Sequence, residues 1–256
     1  MNQISAVMEK TIKEFYRDKV NLFFTIAVPL FFVIVMPIMW GDVPPSIIPS
    51  LKGGLSLTMV TFLIMIGGQS NLAGSIAADG GRGLYLKIAS MPISPLKEGL
   101  GRISGIFMYL LLGVALVLGL GMINGGNFSV KDSQIFLVIG FYLLITLSST
   151  GIGLIIASLV KAESAATHSG IALTLITAFI GGMFAPYSML PSIFQVFARI
   201  HPITSANAVI IFLLEGEQFA YYDPLHQLQI GTTIIFSVTL FLSGIILYSN
   251  HCWLKE

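Results

Sequence analysis

Six stretches of 18 to 24 residues contain no Asp, Glu, Lys, Arg or His, and all 25 acidic and basic side chains of the 256-residue chain lie in the gaps between them. A helix rises about 1.5 Å per residue, so roughly 20 apolar residues cross a hydrocarbon layer about 30 Å thick. The sequence therefore predicts membrane spans over 20–40, 53–73, 104–123, 135–158, 169–186 and 230–248. Composition excludes a single large soluble core. With 55% hydrophobic and 10% charged residues, most of the apolar surface of such a fold would lack a burial partner.

Backbone in lipid must satisfy its own hydrogen bonds, and the long apolar blocks lack the alternation of barrel strands. The expected fold is therefore an all-α membrane protein of six transmembrane helices forming a single transmembrane domain over 1–256. The first block does not read as a cleavable signal peptide, because 19 mostly polar residues precede it and Trp40-Gly41-Asp42 offers no small-residue cleavage site. If the N-terminus is cytoplasmic, the inner segments carry ten Lys and Arg residues against three outside, Lys52, Lys131 and Arg199. The positive-inside bias then places both termini in the cytoplasm.

Before the first span, Ile4, Met8, Ile12 and Phe15 recur at helical spacing opposite Glu9, Lys10, Lys13, Glu14 and Arg17. That pattern predicts an amphipathic helix on the inner membrane surface over 1–19. The first outer loop carries Pro44, Pro45 and Pro49 and reads as a stiff turn. The longest inner loop, 75–102, is expected to break the second span at Gly80, Gly81 and Gly83, start a helical turn at Leu84, Lys87 and Ile88, and end it at Pro92. Between 187 and 229, two apolar runs too short to cross, 193–200 and 206–214, flank His201-Pro202. They predict a re-entrant or interfacial helix pair before the last span.

Few residues suggest chemistry. No ionisable side chain falls inside the predicted spans, so nothing there holds a coupling ion. Glu163 and His168 flank an inner turn and read as solvated rather than as a proton relay. There is no Gly-Lys dipeptide and hence no GxxxxGK[ST] nucleotide loop, no His/Cys/carboxylate set at metal-ligand spacing, and no Ser/His/Asp set. The chain is expected to be no enzyme by itself and to bind no cofactor, metal or nucleic acid. Cys252, the single cysteine, reads as an apolar filler. Gly101-xxx-Gly105 is a close-approach pattern pointing weakly to dimerisation. Gln69, Asn71, Thr174 and Thr177 could line a pathway, although bonding across helices is the simpler role.

Two motifs carry a family resemblance. Arg82-Gly-Leu-Tyr-Leu-Lys-Ile-Ala-Ser-Met-Pro-Ile-Ser, followed by Gly101-Arg102, resembles the "R-x-G-T-L-E-x-L-x-x-T-P-I-S" stretch of the membrane subunits of type-2 ATP-binding-cassette (ABC) exporters. Met189-Leu-Pro191 through Pro202-Ile-Thr-Ser-Ala-Asn207 is similar to the segment "L-P-x-W-L-x-x-x-x-x-x-x-P-L-T-Y-x-x" before their last span. Asp79 alone stands for the family's acidic residues around the loop, and Lys87 replaces a Glu or neutral residue.

The resemblance implies a permease that dimerises with itself or a sibling and is driven by a cytosolic ABC ATPase carrying ATP and Mg. Arg82, Leu84, Tyr85, Lys87, Ile88, Met91 and Pro92 would form its coupling helix. Pro191, Phe194, Phe197, Pro202 and Asn207 would form an outer gate. Its cargo would be amphipathic, lipid-linked or drug-like, exported across the cell membrane. An ATP-independent channel and a non-transporting assembly or immunity protein are the alternatives.

Overall fold

The computed structural model describes residues 3–41, 43–90, 93–128, 132–185, 187–216 and 222–253, and among them every regular element is helical. Helix α1, Gln3–Arg17, is separated from α2, Lys19–Val35, by Asp18. Asp18 caps α2 by accepting from the Asn21 amide at 3.0 Å, which lets the chain turn between the two helices. A 3-10 segment, Met36–Trp40, completes the first crossing.

The face that α1 buries differs from the expected stripe. Val7, Thr11 and Phe15 are buried, whereas Ile4, Met8 and Ile12 are only half-buried at its flanks. The cause is the partner: α1 packs along α6, Pro95–Ile123, over the glycines of the GxxxG pattern. A Cβ on Gly101 would lie 2.7 Å from the Val7 Cβ and 2.8 Å from the Ile4 carbonyl oxygen; one on Gly105 would lie 2.7 Å from the Thr11 Cβ. Those glycines serve a contact inside the chain, which corrects their reading as dimer contacts. Gly101→Val should therefore loosen α1 from α6 by about 1–3 kcal/mol of overpacking. Limited proteolysis within α1 checks this, and wild-type cleavage rates in the variant would contradict it.

The second span departs most from expectation. Helix α3, Ile48–Met65, passes through a π-helical turn, Ile66–Asn71, into α4, Leu72–Gly81, so one crossing runs for 34 residues instead of ending at 73. The π turn lies where Gly67 and Gly68 press on Leu110 and on the backbone at Ser149 and Thr150; the absence of a Cβ permits this approach. Gly80 and Gly81 remain helical. The break comes only at Gly83, whose φ of 68° is left-handed. A short helix, α5, Leu84–Ala89, follows; the expected stop at Pro92 and the neighbouring Met91 lie outside the described residues.

Helix α6 begins at Pro95, capped by Ser94, nine residues before the predicted third span. Much of the expected inner loop is thus an extension of the span helices. Helix α7, Asp132–Leu159, and helix α11, Gln227–His251, agree with the predicted spans to within a turn. Helix α8, Glu163–Ile180, is displaced toward the N-terminus relative to 169–186, because Gly181 and Gly182 (φ 76°) end it early. Glu163 and His168 accordingly occupy its first two turns, both exposed, rather than a turn between helices. Helices α9, Ser192–Ile200, and α10, Pro202–Glu215, meet at an 86° bend. Among the described residues five helices are long and apolar enough to cross a membrane, or six if this bent pair is one broken span. Helix α8 is not among them, since its N-terminal third is polar.

The core centres on α3, the π turn and α4, surrounded by α6, α7, α8 and α10. Met59, Leu63, Met65, Leu72, Ile145, Leu154, Val209 and Ile210 are wholly buried there. The outer faces of α2, α6, α7 and α11 instead present Phe23, Phe31, Leu111, Phe136, Ile235 and Leu242, as expected of helices whose solvent is lipid.

Candidate functional site

The end of the bundle bearing α5 concentrates the charge that the spans exclude. Arg102, in the second turn of α6, is 1% exposed and joins α6 to α4 through one guanidinium. Its Nη2 donates to Asp79 Oδ2 of α4 at 2.6 Å and to Glu98 Oε1 at 2.7 Å; Nε donates to the same Glu98 oxygen at 3.0 Å, and Nη1 to Ser75 Oγ at 2.7 Å. Lys10 of α1 adds a second cation, with Nζ 2.6 Å from Asp79 Oδ2. Both buried carboxylates thus have a cation partner, and Lys10 also lies 3.6 Å from Glu14 Oε2.

Asp79, Glu98 and Arg102 lie beyond the predicted spans 53–73 and 104–123 but inside the longer helices that contain them, in their terminal turns. A buried charge persists only when paired and hydrogen-bonded, and each charge here is. One local signal existed in the sequence: Glu98 and Arg102 are spaced i,i+4 on one helical face. Nothing in the sequence placed Asp79 or Lys10 beside them.

Helix α5 is fastened to this group from its inner side. Tyr85 is 6% exposed; its ring packs edge-on to Tyr248 of α11 at 6.1 Å and tilts against Trp253 at 5.6 Å. The Tyr85 and Tyr248 hydroxyls share a 3.3 Å hydrogen bond, and Tyr248 donates in turn to Glu98 Oε2. Burial raises the Tyr85 pKa, so its hydroxyl stays protonated as a hydrogen-bonding group. Of the expected coupling residues, Arg82 and Lys87 point outward, Leu84 and Ile88 are half-buried, and Tyr85 faces inward as the anchor. Leu86, absent from the expected set, is an apolar side chain of α5 that is 63% exposed. Between α5, α4, the end of α7 and the end of α11 lies a cavity of about 530 Å³. Cys252 lines it, and burial pushes its thiol up to about 11, which keeps it protonated at neutral pH.

The expected pathway residues meet at the π turn, buried within the single chain. Thr174 Oγ1 donates to Gln69 Oε1 at 3.2 Å, and Asn71 Nδ2 donates to Thr25 Oγ1 of α2 at 2.8 Å. Thr177 is buried one turn further along α8.

At the far end, the expected gate residues divide between the bent helices. Pro191 is exposed at the start of α9, Phe194 and Phe197 are half-buried on it, and Pro202 opens α10. Asn207 is buried, its Oδ1 accepting from Thr61 Oγ1 at 2.6 Å, which ties α10 to α3. Thr204 Oγ1 bonds back to the Ala198 carbonyl at 2.9 Å and holds the bend. No cluster of three or more His, Cys, Asp or Glu side chains suited to a metal occurs among the described residues.

A bundle of five or six apolar crossing helices with paired charges at one end defines a multi-pass transmembrane protein. The chain belongs to the ABC-2 type transporter family, whose model matches residues 2–213. It is therefore a transport permease of the ABC class, a membrane component that is not itself catalytic, and permeases of this family normally pair with an ATPase subunit. No curated protein matches the chain.

Proposed function

We propose that the chain is the permease half of an ATP-driven exporter in the cell membrane, moving an amphipathic, lipid-linked or drug-like substrate out of the cytoplasm. Both termini and α5 would face the cytosol. A separate ABC ATPase binds ATP and Mg and docks on α5 through Leu84, Leu86, Lys87 and Ile88, with Arg82, Met91 and Pro92 at its margins. Two permease chains, identical or related, enclose the path. The substrate would pass near Gln69, Asn71, Thr174 and Thr177 and leave past Pro191, Phe194, Phe197, Pro202 and Asn207.

The observation that supports this reading most is the mounting of α5. A six-residue helix with an exposed leucine is bound through Tyr85, Tyr248 and Glu98 to Arg102, which joins α6 to α4, and through Asp79 to Lys10 of α1. A push on such a helix is delivered to four others as a rigid-body displacement, because paired buried charges and packed rings have few alternative arrangements. The lack of charge at mid-span favours amphipathic cargo over small ions, whose lost hydration a mostly apolar cavity would not replace.

The test uses the permease expressed with an ABC ATPase of its own genome. Leu86→Asp should reduce co-purified ATPase at least about tenfold, as removal of a central apolar anchor does, and abolish transport while leaving the melting temperature of the permease unchanged. Wild-type transport by both Leu86→Asp and Ile88→Asp would overturn the proposal in favour of an ATP-independent path.

A further inference from the structure

We propose that Arg199 is the phosphate-binding point of a phospholipid site on α9, at the end of the bundle opposite α5, with the acyl chain lying along the apolar face of that helix. Ile193, Val196 and Ile200 share one face of α9 and are exposed, whereas Ala198 on the opposite face is buried. The 86° bend lays α9 across the direction of α10, as in a helix that rests in a bilayer interface. Its depth follows from Tyr222, which touches Arg199 and is hydrogen-bonded to Gln229 in the first turn of α11. The ends of crossing helices mark the headgroup level, where lipid phosphates lie.

Two rings hold the arginine in place. Its guanidinium carbon lies 5.3 Å from the Tyr187 ring centroid and 4.8 Å from that of Tyr222, and its Nε donates to the Tyr187 hydroxyl at 2.5 Å. Neither Nη nitrogen makes a hydrogen bond or an ion pair among the described residues. One end of a planar, fixed fork is thus free for two oxygens of a single phosphate. Helix α9 itself carries no carboxylate, and Asp223, beside Tyr222 in the chain, has Oδ1 engaged by the Leu225 amide at 2.8 Å. A second copy packed stripe to stripe would bring two Arg199 cations together with no acidic residue on either α9 to pair them. A free inorganic anion would leave the apolar stripe uncovered. A phospholipid satisfies both the cation and the stripe, and its binding does not depend on the exporter reading.

The chain has two tryptophans, so Ile193→Trp combined with Trp40→Phe and Trp253→Phe puts a sole reporter on the stripe. The full chain in detergent is titrated with phosphatidylglycerol brominated high on its acyl chains. Saturable quenching is expected. Arg199→Gln should raise the half-saturating lipid concentration at least about tenfold, and Arg199→Lys should raise it less. Brominated diacylglycerol, which lacks the phosphate, should quench the reporter equally with and without Arg199→Gln. An unchanged half-saturation in Arg199→Gln would overturn the proposal, as would an equal loss of diacylglycerol binding, which would mean that α9 itself had moved. Relief of quenching by inorganic phosphate alone would make this a free-anion site. Disulfide cross-linking of two chains through Ile193→Cys, with Cys252→Ser, in phosphatidylglycerol nanodiscs would assign the stripe to a second copy; both results reject the lipid site. No ATPase or cargo enters the measurement, so its failure is separable from failure of the exporter reading.

Discussion

Arg102→Met is expected to destabilise the protein by about 3–5 kcal/mol, the cost of stranding buried charges that have lost their partner. Asp79 and Glu98 are 3% and 0% exposed, and Arg102 is the cation both contact directly. Lys10 would still reach Asp79, but its side chain is 41% exposed and no ion pair joins it to Glu98. Removing the guanidinium therefore leaves one carboxylate half-compensated and the other bonded only to Tyr248.

Arg102→Lys should rescue part of the loss, because an ammonium keeps the charge but cannot span Asp79, Glu98 and Ser75 with one planar fork. Adding Asp79→Asn and Glu98→Gln to Arg102→Met should also recover stability relative to Arg102→Met alone, since the stranded charges are then gone. Thermal unfolding in detergent, followed by circular dichroism, reads all three. A melting temperature for Arg102→Met within ~2 °C of wild type, on a scale where 1 kcal/mol shifts a chain of this size by a few degrees, would show that the cluster is a dispensable decoration.

Gly151→Leu is expected to do comparable damage at the other major contact of the bundle, between α7 and α11. A Cβ at residue 151 would lie 2.6 Å from both the carbonyl carbon and the oxygen of Leu240. Backbone cannot rotate aside as a side chain can, so the two helices must part along their length. The expected cost is about 1–3 kcal/mol or more, seen as a lower melting temperature and loss of monodisperse protein in size-exclusion chromatography. Gly140→Leu is the control on the same helix, since a Cβ there meets nothing within 4 Å. If both variants behave like wild type, α7 and α11 do not pack as described. If both fail, the damage is not steric.

Much of the architecture was legible in the linear pattern, for reasons visible in particular elements. The crossings at α7 and α11 begin and end within a turn of their apolar blocks, since nothing beyond those blocks extends the helix. The crossings at α4 and α6 overrun their blocks by about two turns, where Asp79 and Glu98 share Arg102 and Asp79 also pairs with Lys10. A rule that excludes charge from a span cannot anticipate charges that cancel between helices distant in sequence. Helix α8 shifted because Gly181 and Gly182 stop it, whereas the apolar run continues past them. At the candidate site, the short helix α5 and its outward residues were readable from Gly83 and the spacing of Leu84, Lys87 and Ile88. The inward turn of Tyr85, the exposure of Leu86 and the latch to Tyr248 were not.

The sequence by itself determined that the chain crosses a membrane as helices and where most crossings lie, because span length and the expulsion of single charges from lipid are local, additive properties. It also carried the two motifs that resemble the ABC exporter permeases. Only the tertiary structure decided which glycines are contact points, which face of α1 is buried and which charges survive burial. Those outcomes depend on what lies across the interface, and packing partners remote in sequence leave no trace in a one-dimensional pattern.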